Sequence, residues 1–219
     1  MRVTIAEELL LLAHSDDKGK QIINTTQLDP AVAGALLAEL AVTDRVELTK
    51  KKVTIKDPTP LGDEELDALL ARIADKSAPR SPAWRLSKLQ SGKLRKRLLT
   101  RLATTGVLTE QQSTVLGLFP VTRWPEADPS VEANVKERVS AVLTGADPDP
   151  RTAVLIAIVH AAKLDRKAFP GADRARVKQI AKGEWAGDAV AKTIAAANAA
   201  AVAAITAATS AATTASSGS

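Results

Sequence analysis

Apolar residues recur every three to four positions along most of this chain, and capping or turn residues bracket each run. Ile5, Leu9 and Leu12 set the first stripe, over residues 4–13, and Ser15-Asp16-Asp17-Lys18-Gly19 ends it. Asp29 reads as an N-cap with Pro30 at the first helical position, and Val32, Leu36, Leu37 and Leu40 share one face of the helix that follows. The period then drops to two, because residues 45–48 and 53–56 alternate around Thr49-Lys50-Lys51-Lys52, which predicts a hairpin. Helix, helix, hairpin is the order of a winged helix.

Pro58 and Pro60 break the chain before Gly62-Asp63-Glu64-Glu65 starts a helix through Leu66, Leu69, Leu70 and Ile73. Pro79 and Pro82 precede a basic helix over residues 86–104, and strand-like runs follow around 107–109 and 114–121. Residues 36–43 and 98–105 echo one another, each leading into a hairpin, as a duplicated unit or a chance match of Leu- and Ala-rich octets would. Val131, Val135, Val139 and Val142 mark a helix over 130–143. Residues 152–164 are apolar nearly all round, the mark of a central buried helix, and two helices finish the chain after Phe169-Pro170-Gly171. The fold expected is mainly α: one compact helical domain over residues 1–208, with short β-hairpins, a winged-helix-like N-terminal part and a disordered Ala/Ser/Thr tail at 209–219.

Composition narrows the chemistry. The chain has no Cys and no Tyr, so a Leu, Val, Ile and Ala core is expected, and thiolate catalysis, disulfides and Cys-based metal sites are excluded. The start lacks a basic region followed by a long apolar run, and the uncharged stretch 193–219 holds too few large apolar residues for a span of about 20. A cytoplasmic protein is expected. No nucleophile elbow, phosphate loop, dinucleotide fingerprint or His-Glu-x-x-His motif occurs. His14 and His160 lie in separate apolar runs and read as satisfied core residues, so neither an enzyme nor a cofactor is expected.

Charge is unevenly placed. Eight Lys and Arg fall between positions 80 and 101, and no Asp or Glu occurs from 76 to 109. At 100° per residue from Leu94, Leu98, Leu102 and Leu99 lie at about 40°, 80° and 140°, and Arg95 at about 100° falls inside that apolar arc. Arg95 is therefore expected to be partly buried, either in an ion pair with Glu39 or another helix-borne carboxylate, or as an anion-binding Arg at a groove floor. Lys93, Lys96 and Arg97 face away, as a solvated face or an anionic contact. Farther on, Val115, Leu116, Leu118, Phe119 and Trp124 put apolar bulk on a loop-like hairpin, which either packs on its own domain or serves self-association or membrane contact.

The ordered motifs Glu7-Glu8-Leu9-Leu10-Leu11-Leu12, Leu37-Ala38-Glu39-Leu40-Ala41, Gly106-Val107-Leu108-Thr109, the hairpin from Leu116 to Pro125 and the run from Arg151 to Ala161 resemble the Golgi phosphoprotein 3 family, with the hairpin closest to its bacterial members. The resemblance implies a helical fold, a peripheral protein on the cytoplasmic face of a membrane, and an anionic phospholipid headgroup, phosphatidylinositol 4-phosphate in eukaryotic members, as partner. It also implies an apolar hairpin used for membrane contact or for a homo-oligomer. The family's headgroup residues, a Trp, an Arg and an Arg-x-x-Arg pair, fall at about Asn24, Ala33, Gly92 and Arg95, so Arg95 alone keeps its residue type, with Lys93, Lys96 and Arg97 as neighbouring charge.

A winged-helix nucleic-acid-binding protein is the competing class, with Lys50-Lys51-Lys52 at the tip of the wing. Against it, the presumed recognition helix over 29–43 carries Glu39 and no Lys or Arg.

Overall fold

The computed structural model describes residues 3–48, 53–75, 92–115 and 118–183. Eight helices are present among these residues: α1 (Ile5–Leu12), α2 (Thr25–Val42), α3 (Glu64–Ala74), α4 (Gly92–Thr104), α5 (Pro129–Leu143), α6 (Pro150–Ala161), α7 (Asp165–Ala168) and α8 (Arg174–Lys182). Two antiparallel hairpins interrupt them, β1 (Val46–Leu48) with β2 (Val53–Ile55) and β3 (Gln111–Val115) with β4 (Phe119–Arg123). The protein is mainly α, and its N-terminal α1–α2–β1–β2 order is the winged-helix-like one the pattern predicts.

Local chemistry sets most helix starts. Thr4 and Glu7 form a reciprocal capping box on α1, while Asp63, Asp128, Asp149 and Asp173 accept first-turn N–H groups of α3, α5, α6 and α8. The expected start of α2 is corrected: Asn24 is its N-cap, without a side-chain capping bond, and Pro30 lies inside the helix. Asp29 is spared capping because it pairs with a cation on α4, and one missing N–H near the helix start is tolerated where packing surrounds the segment. The strand expected at 107–109 is corrected too. Leu108 makes only an isolated bridge to Glu126, and the hairpin is built wholly within 111–123, with Gln111 opposite Arg123 and Thr114 opposite Pro120.

The core is aliphatic. Every residue of α1 is buried, as are Thr152–Val159 on α6 and the run of α2 from Ala31 to Ala41. Helix α2 packs on α1, α3, α4 and α6, so it shares the central place that the sequence pattern gives to α6 alone. A helix buried this way has no face to lay in a DNA groove, and the winged-helix resemblance is one of order and not of use. The three lysines of the hairpin tip lie outside the described residues, as do the start of the basic helix before Gly92 and everything after Gly183, including the tail.

Inside this core sits a knot of charge. Glu7 and Glu8 of α1 and Glu39 of α2 are each at least 96% buried. Arg101 of α4 reaches Glu7 at 2.7 Å and Asp63 at 2.8 Å, Arg138 of α5 reaches Glu8 at 2.9 Å, and Arg151 of α6 pairs with Glu39 and gives Val3 O a 2.6 Å hydrogen bond. Glu39 also accepts the Ile5 backbone N–H at 2.6 Å. Buried charges persist only when paired, so these bonds fix how five helices meet, and they anchor the C-terminal half of the basic helix α4.

Candidate anion-binding pocket

Helix α4 carries Leu94, Leu98, Leu99 and Leu102 on its buried face and Lys93, Lys96 and Arg97 on its exposed one, as the angular arithmetic predicts. Arg95 is half-buried, and its partner is Asp29 of α2, 2.7 Å from Nη1, in place of the expected Glu39. Glu39 is unavailable because Arg151 holds it. Arg97 is committed as well, through two bonds to Glu65 on α3, one of 2.9 Å from Nη2. Lys93 and Lys96 have no carboxylate within ion-pair distance among the described residues.

Beside Arg95 the surface folds into a pocket of about 250 Å³ lined by His14, Gly19, Gln21, Gly92, Arg95, Lys96, Leu99, Thr122 and Trp124. Three segments meet there: the end of α1 with its following loop, the first two turns of α4, and the end of β4. The loop closes on itself through His14 bridging Gln21, and it holds the strand end through the Trp124 N–H, which donates to Gly19 O at 3.0 Å. Gly19 is required at this contact. Its φ is +54°, and a Cβ there would stand 2.1 Å from Pro125 N and from the Trp124 carbonyl carbon.

The placement of Trp124 decides between two expectations. The sequence groups it with Leu116, Leu118 and Phe119 on an apolar hairpin that either packs on its own domain or serves membrane contact or self-association; only 6% of Trp124 is exposed and it packs in the core at the pocket wall, so for this residue the first alternative holds. Leu118 stands 78% exposed at the hairpin turn and Val121 is partly exposed beside it. Leu116 lies outside the described residues, and so does the side chain of Phe119. The paired strands touch each other far more than they touch the helices.

A sequence model of the Golgi phosphoprotein 3 (GPP34) family matches residues 5–197. The chain belongs to the Golgi phosphoprotein 3 family. Vacuolar protein sorting-associated protein 74 of Schizosaccharomyces pombe is 26% identical over an alignment of 165 positions that covers 65% of this chain and 49% of that protein. The chain thus spans about half the length of this curated relative. None of the described helices is long and apolar enough to cross a membrane.

Of the four positions tied to the Golgi phosphoprotein 3 resemblance, Gly92 and Arg95 line the pocket. Ala33 is wholly buried within α2, and Asn24 is exposed at the helix start. Gly92 lies against the ion pair, where a Cβ would make ordinary van der Waals contact with Arg95 Nη2 at 3.5 Å and Asp29 Oδ2 at 4.0 Å. Sequence reasoning missed His14, Gln21 and Thr122, which no motif marks; they reach the pocket only because the 15–21 loop and β4 dock together. For His14 the apolar-helix reading holds in part. It is 6% exposed and its Nδ1 sits 2.7 Å from Leu10 O, yet the ring also faces the pocket. Burial, with the nearby Arg95 charge adding to it, lowers the His14 pKa, so the ring is neutral near pH 7. Burial raises the Asp29 pKa and outweighs the opposing pull of Arg95.

Proposed function

We propose that this protein is a non-enzymatic, peripheral membrane-binding member of its family, which takes an anionic phospholipid headgroup into the Arg95 pocket while the β3–β4 hairpin, through Leu118, enters the apolar layer or meets a second copy. The observation that supports it most is the convergence of a half-buried guanidinium, an unpaired ammonium on Lys96 and neutral polar groups in one small concavity. At about 250 Å³ that concavity lies below the range typical of drug-sized ligands, about 300–1,000 Å³, and suits a headgroup phosphate rather than a whole lipid. A guanidinium fork recognises phosphate oxygens better than an ammonium does, so Arg95 is the recognising group, with Lys96 in the lining and Lys93, outside it on the same helix, adding attraction at longer range.

Magnitudes decide the role of the hairpin. Each cation near an anionic surface contributes about 1 kcal/mol. Among the described residues of α4, Arg97 and Arg101 are held by carboxylates; Lys93, Lys96 and an Arg95 that exchanges Asp29 for the headgroup give at most about 3 kcal/mol, which leaves a dissociation constant above about 1 mM. Burying one exposed Leu side chain adds about 1.5–3 kcal/mol. Electrostatic contact and apolar insertion together therefore give useful docking where neither does alone.

Co-sedimentation with phosphatidylcholine vesicles, alone and doped with several anionic lipids including phosphatidylinositol 4-phosphate, tests this reading at low and high salt. Binding to the anionic vesicles only, weakened by salt and by Lys93→Ala/Lys96→Ala, is expected. Equal binding to neutral and anionic vesicles, or binding to neither, overturns it.

A further inference from the structure

His14 brings a titratable lone pair to the pocket. Its Nδ1 lies 2.7 Å from the carbonyl of Leu10, an acceptor only, so Nδ1 carries the proton and donates. The other ring nitrogen, Nε2, has no hydrogen-bond partner among the described residues, and His14 lines the same pocket as Arg95 and Lys96. The charged groups facing that space are Arg95 and Lys96 from α4, with Asp29 of α2 behind Arg95. Neither the 15–21 loop nor β4 adds a charged side chain to the lining among the described residues.

A fully deprotonated oxyanion entering this pocket meets Arg95 and Lys96 favourably but sets an oxygen lone pair against the Nε2 lone pair. Two arrangements remove the conflict, and each contains one more proton. Either the ligand oxygen bears hydrogen and donates to Nε2, or Nε2 is protonated and donates to the ligand. We propose that His14 makes this pocket selective for a singly protonated phosphate monoester, and that binding of any aprotic oxyanion there takes up one proton at His14 Nε2. The inference rests on the anion-binding reading of the pocket and adds to it the protonation state of the bound anion and a pH dependence.

The sign follows from linkage. Burial holds the His14 pKa low in the empty pocket, and an anion beside it raises that pKa. Sulfate, which has no proton to give near neutrality, then binds more tightly as pH falls through the bound-state midpoint, and its affinity levels off below the empty-pocket midpoint. Phosphate escapes most of this penalty because its second ionisation lies near pH 6–7. Protonation of Asp29 acts in the same direction only in acid, and an Asp29→Asn background removes it.

The chain has two histidines, so ring NMR of the full-length protein resolves both, with His160, paired to Asp165 outside the pocket, as internal control. Titration from pH 5 to 8.5 without anion, with sulfate and with inorganic phosphate is expected to show sulfate raising the His14 midpoint by about one unit, a tenfold coupling. Phosphate is expected to bind about tenfold more tightly than sulfate at pH 8, with the two converging in acid. His14→Leu and His14→Gln, two variants of different polarity, both erase the difference. The same comparison on vesicles, phosphatidic acid against a sulfated lipid, separates a membrane headgroup from a soluble phosphate as the source. Selectivity for free phosphate without selectivity on vesicles keeps the proton-coupled chemistry and overturns the membrane as its source. Pocket amide shifts that depend on Arg95, with an unmoved His14 midpoint and equal affinities at pH 8, overturn the inference and leave the anion pocket standing. No Arg95-dependent shift with any anion overturns both.

Discussion

Arg95 and Asp29, 66 residues apart in the chain, meet across α4 and α2 at 2.7 Å, with 19% and 17% of their side chains exposed. The pair is internal enough to lock two helices, and the exposure that remains is what the proposed anion would use to compete with Asp29 for the guanidinium. On the proposed headgroup reading, the structural and ligand-binding roles of Arg95 are two states of one contact.

Removing Arg95 strands the Asp29 carboxylate. A buried partner left this way costs about 3–5 kcal/mol, and the partial exposure here brings that to about 1–3 kcal/mol, or several degrees for a chain of this length. Arg95→Met therefore melts several degrees below wild type at pH 7, and Asp29→Asn, which removes the charge that burial already disfavours, melts close to wild type. Because the folded-state pKa of Asp29 is raised, its favourable contribution is complete below the unfolded value and is lost as pH rises. The deficit of Arg95→Met accordingly shrinks toward acid. A deficit that grows toward acid contradicts this.

Gly19 joins loop and hairpin. Gly19→Ala imposes both a disfavoured φ and a Cβ overlapping backbone of Trp124 and Pro125, so it lowers the melting temperature and exposes Trp124 to a collisional quencher. A variant that melts and quenches like wild type would show that the loop and β4 do not dock as described.

Glu132 of α5 has a different pH signature. Burial first, then a hydrogen bond with Glu126, raises its pKa to about 8, against the ion pair with Lys136 at 2.8 Å. The folded value is above the unfolded one of 4.5, so the stability it contributes is complete below about pH 4.5 and is lost as pH climbs toward 8. Glu132→Gln stays neutral, and is expected to melt like wild type at pH 5 and several degrees above it at pH 8.5. The same melting difference at both values rules out the titration.

How far the chain is legible follows from range. Stripes such as Leu94, Leu98 and Leu102 and caps such as Asp63 and Asp149 act within one or two turns, so these helices and their buried faces can be read directly. The half-burial of Arg95 is legible by the same arithmetic. Its partner is not, because choosing Asp29 over Glu39 depends on Arg151, 56 positions away on α6, claiming Glu39 first. Pro30 misleads for a related reason: Asp-Pro is a local start signal, and here Asp29 serves a distant cation instead. Trp124 and His14 are illegible as pocket walls, since only the contact of Gly19 with the strand end brings their segments together.

The hairpin has its own test. Leu118→Asp is expected to leave the melting temperature unchanged, because Leu118 is 78% exposed, while weakening retention on anionic vesicles about tenfold. Sedimentation of the same variant reports assembly: a fall in mass assigns Leu118 to a second copy, and an unchanged mass with lost retention assigns it to the apolar layer. Unchanged mass and unchanged retention remove it from both roles.

The most direct measurement of the central claim compares Arg95→Met and Asp29→Asn on one series of phosphatidylcholine vesicles doped with phosphatidylinositol 4-phosphate, at a temperature where both are folded. If Arg95 grips the headgroup and Asp29 competes for it, the first variant loses salt-sensitive binding and the second binds more tightly than wild type. Equal binding by all three proteins, or a loss in both variants, contradicts the account.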